Sequence, residues 1–301
     1  MYIVHHRTFF FWFTGIILAA ALGAYFVYGL PPGIDFTGGS LLQVRYEGAV
    51  PPLATIQRQV ATVPLGAVSV RASGDSAVSI RTRIMTPAEH EAVLAAISAN
   101  ASTTATELAY ASVGPALGSQ FAGKALWAIL AVVLAIILYI TFAFRKVSRP
   151  VPSWGYGLTV VAILVHDIII PAGFFALLAH FTGAEVDALF VTALLALLGY
   201  SVNDTIIIFD RVREHLHTNE KKGSREEFSD TVGKSITETM TRSINTSLTV
   251  VLALLALVLV GASATRVFAL VMLVGVVAGT YSSILLAAPL LITLSNWFVK
   301  K

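Results

Sequence analysis

A chain of 301 residues that is 56% hydrophobic and only 12% charged is not an ordinary soluble domain, which carries about 25% charge. Its mean hydropathy of +0.79 marks a polytopic membrane protein, and its formal net charge of +3 gives no sign of a nucleic-acid partner. The absence of cysteine excludes a disulfide framework and a thiolate metal site.

Crossing a hydrocarbon core about 30 Å thick takes roughly 20 apolar residues in a helix. Span 1 is Thr8 to Leu30, and its 23 uncharged residues exceed the roughly 7 to 15 of a cleaved signal core. Pro31 to Gly123 follow as a folded unit. "SLLQVRYEG" (40 to 48), "GAVSVRAS" (66 to 73), "SAVSIRTRI" (76 to 84) and "TELAYASVG" (106 to 114) read as strands. "PPLATIQRQVATV" (51 to 63) and "TPAEHEAVLAAISAN" (86 to 100) read as helices, the second capped by Thr86, and Gly74 with Asp75 makes a turn. The order βαββαβ predicts a ferredoxin-like α+β domain. It holds no catalytic constellation, so a docking or lever role is expected rather than an enzyme.

Span 2 is Ala125 to Phe144. Span 3, about Ser153 to Leu178, is interrupted by His166 and Asp167, with Pro171 weakening the helix four residues on. Span 4, Ala188 to Phe209, contains Asn203 and Asp204. Between spans 4 and 5, Ser224 and Glu227 form a capping box ahead of Phe228, Val232, Ile236 and Met240. That spacing predicts an amphipathic helix on the inner membrane surface, within a cytoplasmic segment 211–240. Span 5 is about Thr241 to Gly261, and span 6 about Val267 to Phe298. The fold expected is therefore six transmembrane helices, with residues 124–301 forming the bundle of spans 2 to 6. On span 6, Gly275, Gly279 and Ser283 recur every four residues as a stripe for close helix packing, and Gly199 on span 4 is assigned the same role.

Lys and Arg resist export. Arg7, Arg145, Lys146, Arg149, Arg211, Arg213, Lys221, Lys222, Arg225, Lys234, Arg242, Lys300 and Lys301 fall on one side, against Arg266 alone in the short loops of the other. Both termini are thus expected in the cytoplasm and residues 31–123 outside it.

A charge at the centre of a span costs roughly 2.5 to 3.5 kcal/mol on insertion scales and is a functional hypothesis by default. Asp204 lies about 24 Å from the outer end of its helix. The clean apolar run of span 5, Leu248 to Val260, is too short to cross, so "TRSINTS" must enter the membrane as well. Arg242, Asn245, Thr246 and Thr249 then form a polar stripe, with Asn245 about 24 Å and Arg242 about 29 Å deep. Asp204 and Arg242 come to similar depth. An Asp beside an Arg stays ionised, whereas one desolvated without it can take a proton. Asp204 and Arg242 therefore head the candidates for a proton pathway, joined by Asn203, Asn245 and, less directly, Asp167. For Asp167 the competing reading is a hydrogen-bonded packing pair with His166. Asp210, beside Arg211 and Arg213, reads as an interfacial residue.

"GIDFTGGSLLQV" (33 to 44), "SVGPALGSQ" (112 to 120), "GYSVNDTIIIFDRVRE" (199 to 214), "TRSINTSLT" (241 to 249) and "GTYSSILLAAPLL" (279 to 291) closely resemble the SecF-type motifs of the SecD/SecF family of bacterial protein-export membrane proteins. This family is similar to the RND superfamily. The resemblance covers nearly the whole chain. It implies pairing with SecD, association with the SecYEG channel and YajC, and use of protons, through the proton-motive force, to draw preproteins across the cytoplasmic (inner) membrane. It places Asp204 and Arg242 on positions tied to proton coupling. It also places Asp35, Gly38 and Gly39 in the first motif, as a joint between the membrane and the external domain; a Gly turn into the first strand fits the same residues. No cofactor is implied.

Three rivals remain. One is a half-transporter of small molecules, which a single small external module argues against. Another is an intramembrane aspartyl protease using Asp167 and Asp204; their different depths and the lack of a GxGD loop argue against it. The third is a scaffold that stabilises a channel without moving protons.

Overall fold

The computed structural model describes residues 2–73, 76–98, 104–145, 150–224 and 226–299. The expected turn at Gly74 and Asp75 lies outside them, as do the end of the helix expected to reach Asn100 and Lys146, Arg149, Arg225, Lys300 and Lys301.

Among the described residues six helices are long and apolar enough to cross a membrane. In chain order the elements are α1 (Tyr2–His5), α2 (Arg7–Tyr28, span 1), α3 (Ile34–Thr37), β1 (Gly39–Tyr46), α4 (Leu53–Val60), β2 (Ser69–Ala72) and β3 (Ala77–Thr82). They continue with α5 (Pro87–Ser98), β4 (Ala105–Val113), α6 (Pro115–Ala143, span 2), α7 (Ser153–Thr182, span 3), α8 (Ala188–Lys222, span 4) and α9 (Phe228–Val260, span 5). Span 6 is α10 (Ser263–Ser282), a π-helical turn (Ser283–Ala287) and α11 (Ala288–Val299). The chain divides into two compact units: residues 1–29, 128–175 and 189–301, and residues 30–127 with 176–188.

In the second unit the four strands form an antiparallel sheet in the order β2-β3-β1-β4. With α4 after β1 and α5 after β3, this is the split βαββαβ arrangement. Alternate residues of the central strands, Leu42, Val44 and Tyr46 with Val78 and Ile80, bury one face against Ile56 and Val60 of α4 and Val93 and Ile97 of α5. Thr86 caps α5 as expected, and the cap is reciprocal: its hydroxyl accepts from the Glu89 amide at 3.3 Å, and the Glu89 carboxylate accepts from the Thr86 amide at 2.8 Å. Before β1 the chain makes the one-turn helix α3, ended by Gly38, whose amide donates to the Ile34 carbonyl at 2.8 Å. The sequence suggests a joint or a glycine turn there, and not a helix.

In the first unit, spans 4 and 5 run 35 and 33 residues, about 50 Å each at 1.5 Å per residue. Both outlast the hydrocarbon core as continuous helices. This corrects the expected surface helix and its cap. Glu227 is the N-cap of span 5 and makes no capping hydrogen bond, while Ser224 lies outside the helix. Val232 and Ile236 are buried with Phe209 and Val212 of span 4, and Phe228 and Met240 pack against that cluster. The four-residue apolar spacing marks a face turned to a neighbouring helix, because span 4 continues far enough to cover it. Span 3 runs unbroken through Pro171.

Candidate functional site

Span 4 positions the polar interior of the first unit. Asp204 is 1% exposed. The Ser247 hydroxyl of span 5 donates to its Oδ2 at 3.4 Å, and has a second acceptor in the Ser243 carbonyl at 2.8 Å. Ser247 in turn accepts from Tyr200 at 2.8 Å and from Thr280 of span 6 at 2.7 Å. Among the described residues no Lys, Arg or His reaches within 4 Å of Asp204. Among the described residues the carboxyl is thus buried, held by one hydroxyl and balanced by no cation.

Asp167 is buried to the same degree and is differently served. Its Oδ1 is 2.7 Å from His166 Nδ1, and its Oδ2 accepts from the Ser201 hydroxyl of span 4. His166 Nε2 meets the Tyr281 hydroxyl of span 6 at 2.7 Å. Spans 3, 4 and 6 are joined by this chain of partners.

The two networks are brought together by small residues. A Cβ on Gly275 would lie 2.2 Å from Leu197 Cδ1, and one on Gly279 would lie 3.3 Å from Ser201 Cβ; Ser283 and Thr205 share a hydrogen bond at 3.0 Å. Leu197, Ser201 and Thr205 of span 4 therefore meet Gly275, Gly279 and Ser283 of span 6, four-residue ridge against four-residue groove. Gly199 is corrected: a Cβ there would meet nothing within 4 Å, because it lies on another side of the helix. A close glycine of the bundle that sequence reasoning missed is Gly173 of span 3, set against the backbone of Ala21 on span 1.

The expected approach of Arg242 to Asp204 is also corrected. Arg242, Asn245, Thr246, Thr249 and Asn203 are all exposed within this chain. Arg242 lines an open cleft of about 410 Å³ with Asp210, Arg211, Glu214 and Glu238. Depth along the axis was counted without rotation about it: at about 100° per residue, Ser247 points about 140° away from Arg242. The inward face of span 5 is a second stripe, Thr231, Ser235, Thr239, Ser243 and Ser247, buried at every fourth residue. Its spacing was visible in the sequence, and only its lack of charge hid it. In the lining of the cleft, Arg211 pairs with Glu238, which His215 also meets at 3.0 Å, and Asp210 pairs with Arg213. The described residues contain no cluster of His, Asp and Glu that would hold a metal ion.

In the second unit, Asp35 Oδ2 accepts from the amide of Ala188 at 2.7 Å. Gly38 and Gly39 have φ of 75° and 119°, a region that disfavours side chains. A Cβ on them would lie 2.7 Å from Pro115 Cα and 2.6 Å from the Thr82 carbonyl oxygen.

The protein-family model for the C-terminal part of the protein-export membrane proteins SecD/SecF matches residues 93–297, and that for the SecD/SecF GG motif matches residues 26–50. The chain is 36% identical over 98% of its length to the protein translocase subunit SecF of Thermobaculum terrenum, covering 94% of that protein. It is 38% identical over 97% of its length to that of Sebaldella termitidis, covering 91%. Among solved structures it is similar to SecDF from Thermus, a translocon-associated membrane protein, with TM-score 0.82 and 30% identity over 97% of this chain. A SecDF in a super-membrane-facing form gives TM-score 0.67. In both, the match spans 38% of the solved chain.

Proposed function

Because the chain belongs to the SecD/SecF family of protein-export membrane proteins, we propose that it pairs with SecD and turns proton movement through the membrane into work on preproteins. The remaining length of the SecDF chains it matches leaves room for such a half. In this reading the pair serves the SecYEG channel with YajC. The basic residues hold both termini in the cytoplasm, and the α+β domain works on the outer side, on the emerging preprotein.

The observation that carries the proposal is Asp204, 1% exposed, with one hydroxyl partner and no cation within 4 Å among the described residues. A buried charge without a partner costs several kcal/mol, and a neutral acid in the same place costs much less. The position suits a group that alternates between the two forms. Each form favours a different packing of spans 4, 5 and 6, because the Ser247 hydroxyl chooses between the carboxyl and the Ser243 carbonyl. One charge crossing 100 mV yields about 2.3 kcal/mol, comparable with the few kcal/mol that separate conformers of a bistable element. Arg242, Asn203 and Asn245 enter as outward-facing groups available to the partner half, and the cleft beyond Ile207 as a wet route from Asp204 towards the cytoplasm. Asp167 contributes by packing: its carboxylate oxygens both have partners, and this is the observation that favours the scaffold reading for that site.

The test is preprotein completion in proteoliposomes holding the channel, the partner subunit and either wild-type protein or Asp204→Asn. An imposed proton gradient speeds completion with the wild type and leaves the variant at the rate seen without a gradient. An equal response from the variant makes Asp204 a packing residue and puts the scaffold reading first.

A further inference from the structure

The last turns of span 3, the loop after them and the first residue of span 4, residues 176–188, belong to the same compact unit as the α+β domain. They are held there at several points. Pro32 and Val186 form a parallel β-bridge, with the Gly33 amide donating to the Val186 carbonyl and the Val186 amide to the Pro31 carbonyl, both at 2.8 Å. Glu185 receives Arg81 Nη1 of β3 on both carboxylate oxygens at 3.2 Å, with Arg71 of β2 at 3.6 Å. Arg81 also donates to the Pro32 carbonyl at 2.9 Å and to the Thr37 hydroxyl. Gly183 lies against Ala72 and Arg71 of β2, and Asp35 holds the amide of Ala188.

A domain inserted between spans 1 and 2 needs only its own two connections. Here the loop leading into span 4 is gripped as well, and Glu185 is where β2, β3 and the chain before β1 converge on it. From Ala188, the first residue of α8, to Asp204 is a single unbroken helix.

We propose that Glu185 and Arg81 are positioning residues that fasten the loop between spans 3 and 4 to the sheet, so that the sheet holds Ala188, the first residue of the Asp204 helix, through the export cycle. This rests on the proton-coupling reading and adds what holds that helix at its start. The fastening is permanent: it does not open during the cycle.

The native chain has no cysteine, so a disulfide can replace the ion pair cleanly. Partners in a β-bridge are about 5 Å apart, inside the roughly 4.4 to 6.8 Å that a disulfide spans, and neither bridge hydrogen bond uses the Pro32 nitrogen. The full chain is reconstituted with the channel and partner subunit as wild type, Glu185→Ala, Arg81→Gln, Pro32→Cys/Val186→Cys, and the triple variant combining that pair with Glu185→Ala. Glu185→Ala and Arg81→Gln each cut the gradient-driven gain in completion about fivefold or more, while gradient-independent completion is kept. Oxidation restores the gain in the triple variant, and reduction removes it again. The oxidised double variant keeps wild-type activity. A full gain from Glu185→Ala, an oxidised triple variant that stays inactive, or an oxidised double variant that stalls each overturns the proposal. Asp204→Asn run alongside separates the two claims: if it responds to the gradient, the coupling reading fails, whereas formation of the disulfide reads the fastening itself.

Discussion

Two aspartates lie in the interior of one helical bundle, and the protein treats them differently. Asp167 has His166 on one oxygen and Ser201 on the other, with Tyr281 completing the chain. Asp204, equally buried, has among the described residues only the Ser247 hydroxyl, and that hydroxyl has another acceptor to turn to. Burial without partners is expensive, so a carboxyl left underserved is the one with something to gain from a change of state. The partner set, and not the burial, separates the two acids, and in the function proposed above it is what makes Asp167 the structural acid and Asp204 the working one.

Truncation sharpens this contrast most. Asp167→Ala strands two buried groups, His166 Nδ1 and the Ser201 hydroxyl, and should cost about 3–5 kcal/mol of stability, read as a lower denaturation midpoint in detergent. Asp204→Ala strands nothing, since Ser247 keeps the Ser243 carbonyl, and should cost about 1 kcal/mol or less while abolishing the response to a proton gradient. Equal stability losses would erase the distinction.

Helix contacts give the next largest effect. A Cβ at Gly173 would lie 2.4 Å from the Ala21 carbonyl oxygen and 2.5 Å from its Cα. Gly173→Ala must therefore push spans 1 and 3 apart, at about 1–3 kcal/mol. Gly279→Ala meets Ser201 at 3.3 Å and costs less, but it shifts the hydroxyl that serves Asp167. In double-mutant cycles Gly279→Ala should couple to Asp167→Ala and add simply to Asp204→Ala; coupling to Asp204 instead would show that the two networks are one.

Much of this was legible in the sequence. Apolar run length located six spans, alternation and turn residues located the βαββαβ order, and Gly275, Gly279 and Ser283 announced a close contact before its other half was known. What failed was rotation. Counting along a helix gives depth to within a turn, and on that basis Arg242 was set beside Asp204; the side chain that reaches it is Ser247, which neither charge nor hydropathy singles out. Likewise Phe228, Val232, Ile236 and Met240 showed an apolar face without showing what covers it, because the length of span 4 past Phe209 is set by the same ion-paired, polar residues that signalled its end. The grip on Glu185 pairs residues 104 positions apart, Arg81 and Glu185, and no local pattern records it.

A third acid, Glu89, completes the comparison from the watery side. Its carboxylate binds Arg83 and caps α5 through Thr86, and the Arg83 hydrogen bonds, followed by the Thr86 amide, hold its pKa at about 2 against an ordinary 4.5. The folded pKa is depressed, so whatever stability Glu89 contributes is complete above about pH 4.5 and fades as pH falls towards 2. Glu89→Gln keeps an acceptor for the cap and removes the charge. Its unfolding midpoint in the full chain should therefore fall slightly below that of the wild type at pH 6, with the gap closing between pH 4.5 and 2. Water screens this pair, so the shift should be the smallest of the set; a gap that persists at pH 2 would mean that shape, and not charge, is what Glu89 brings to the cap.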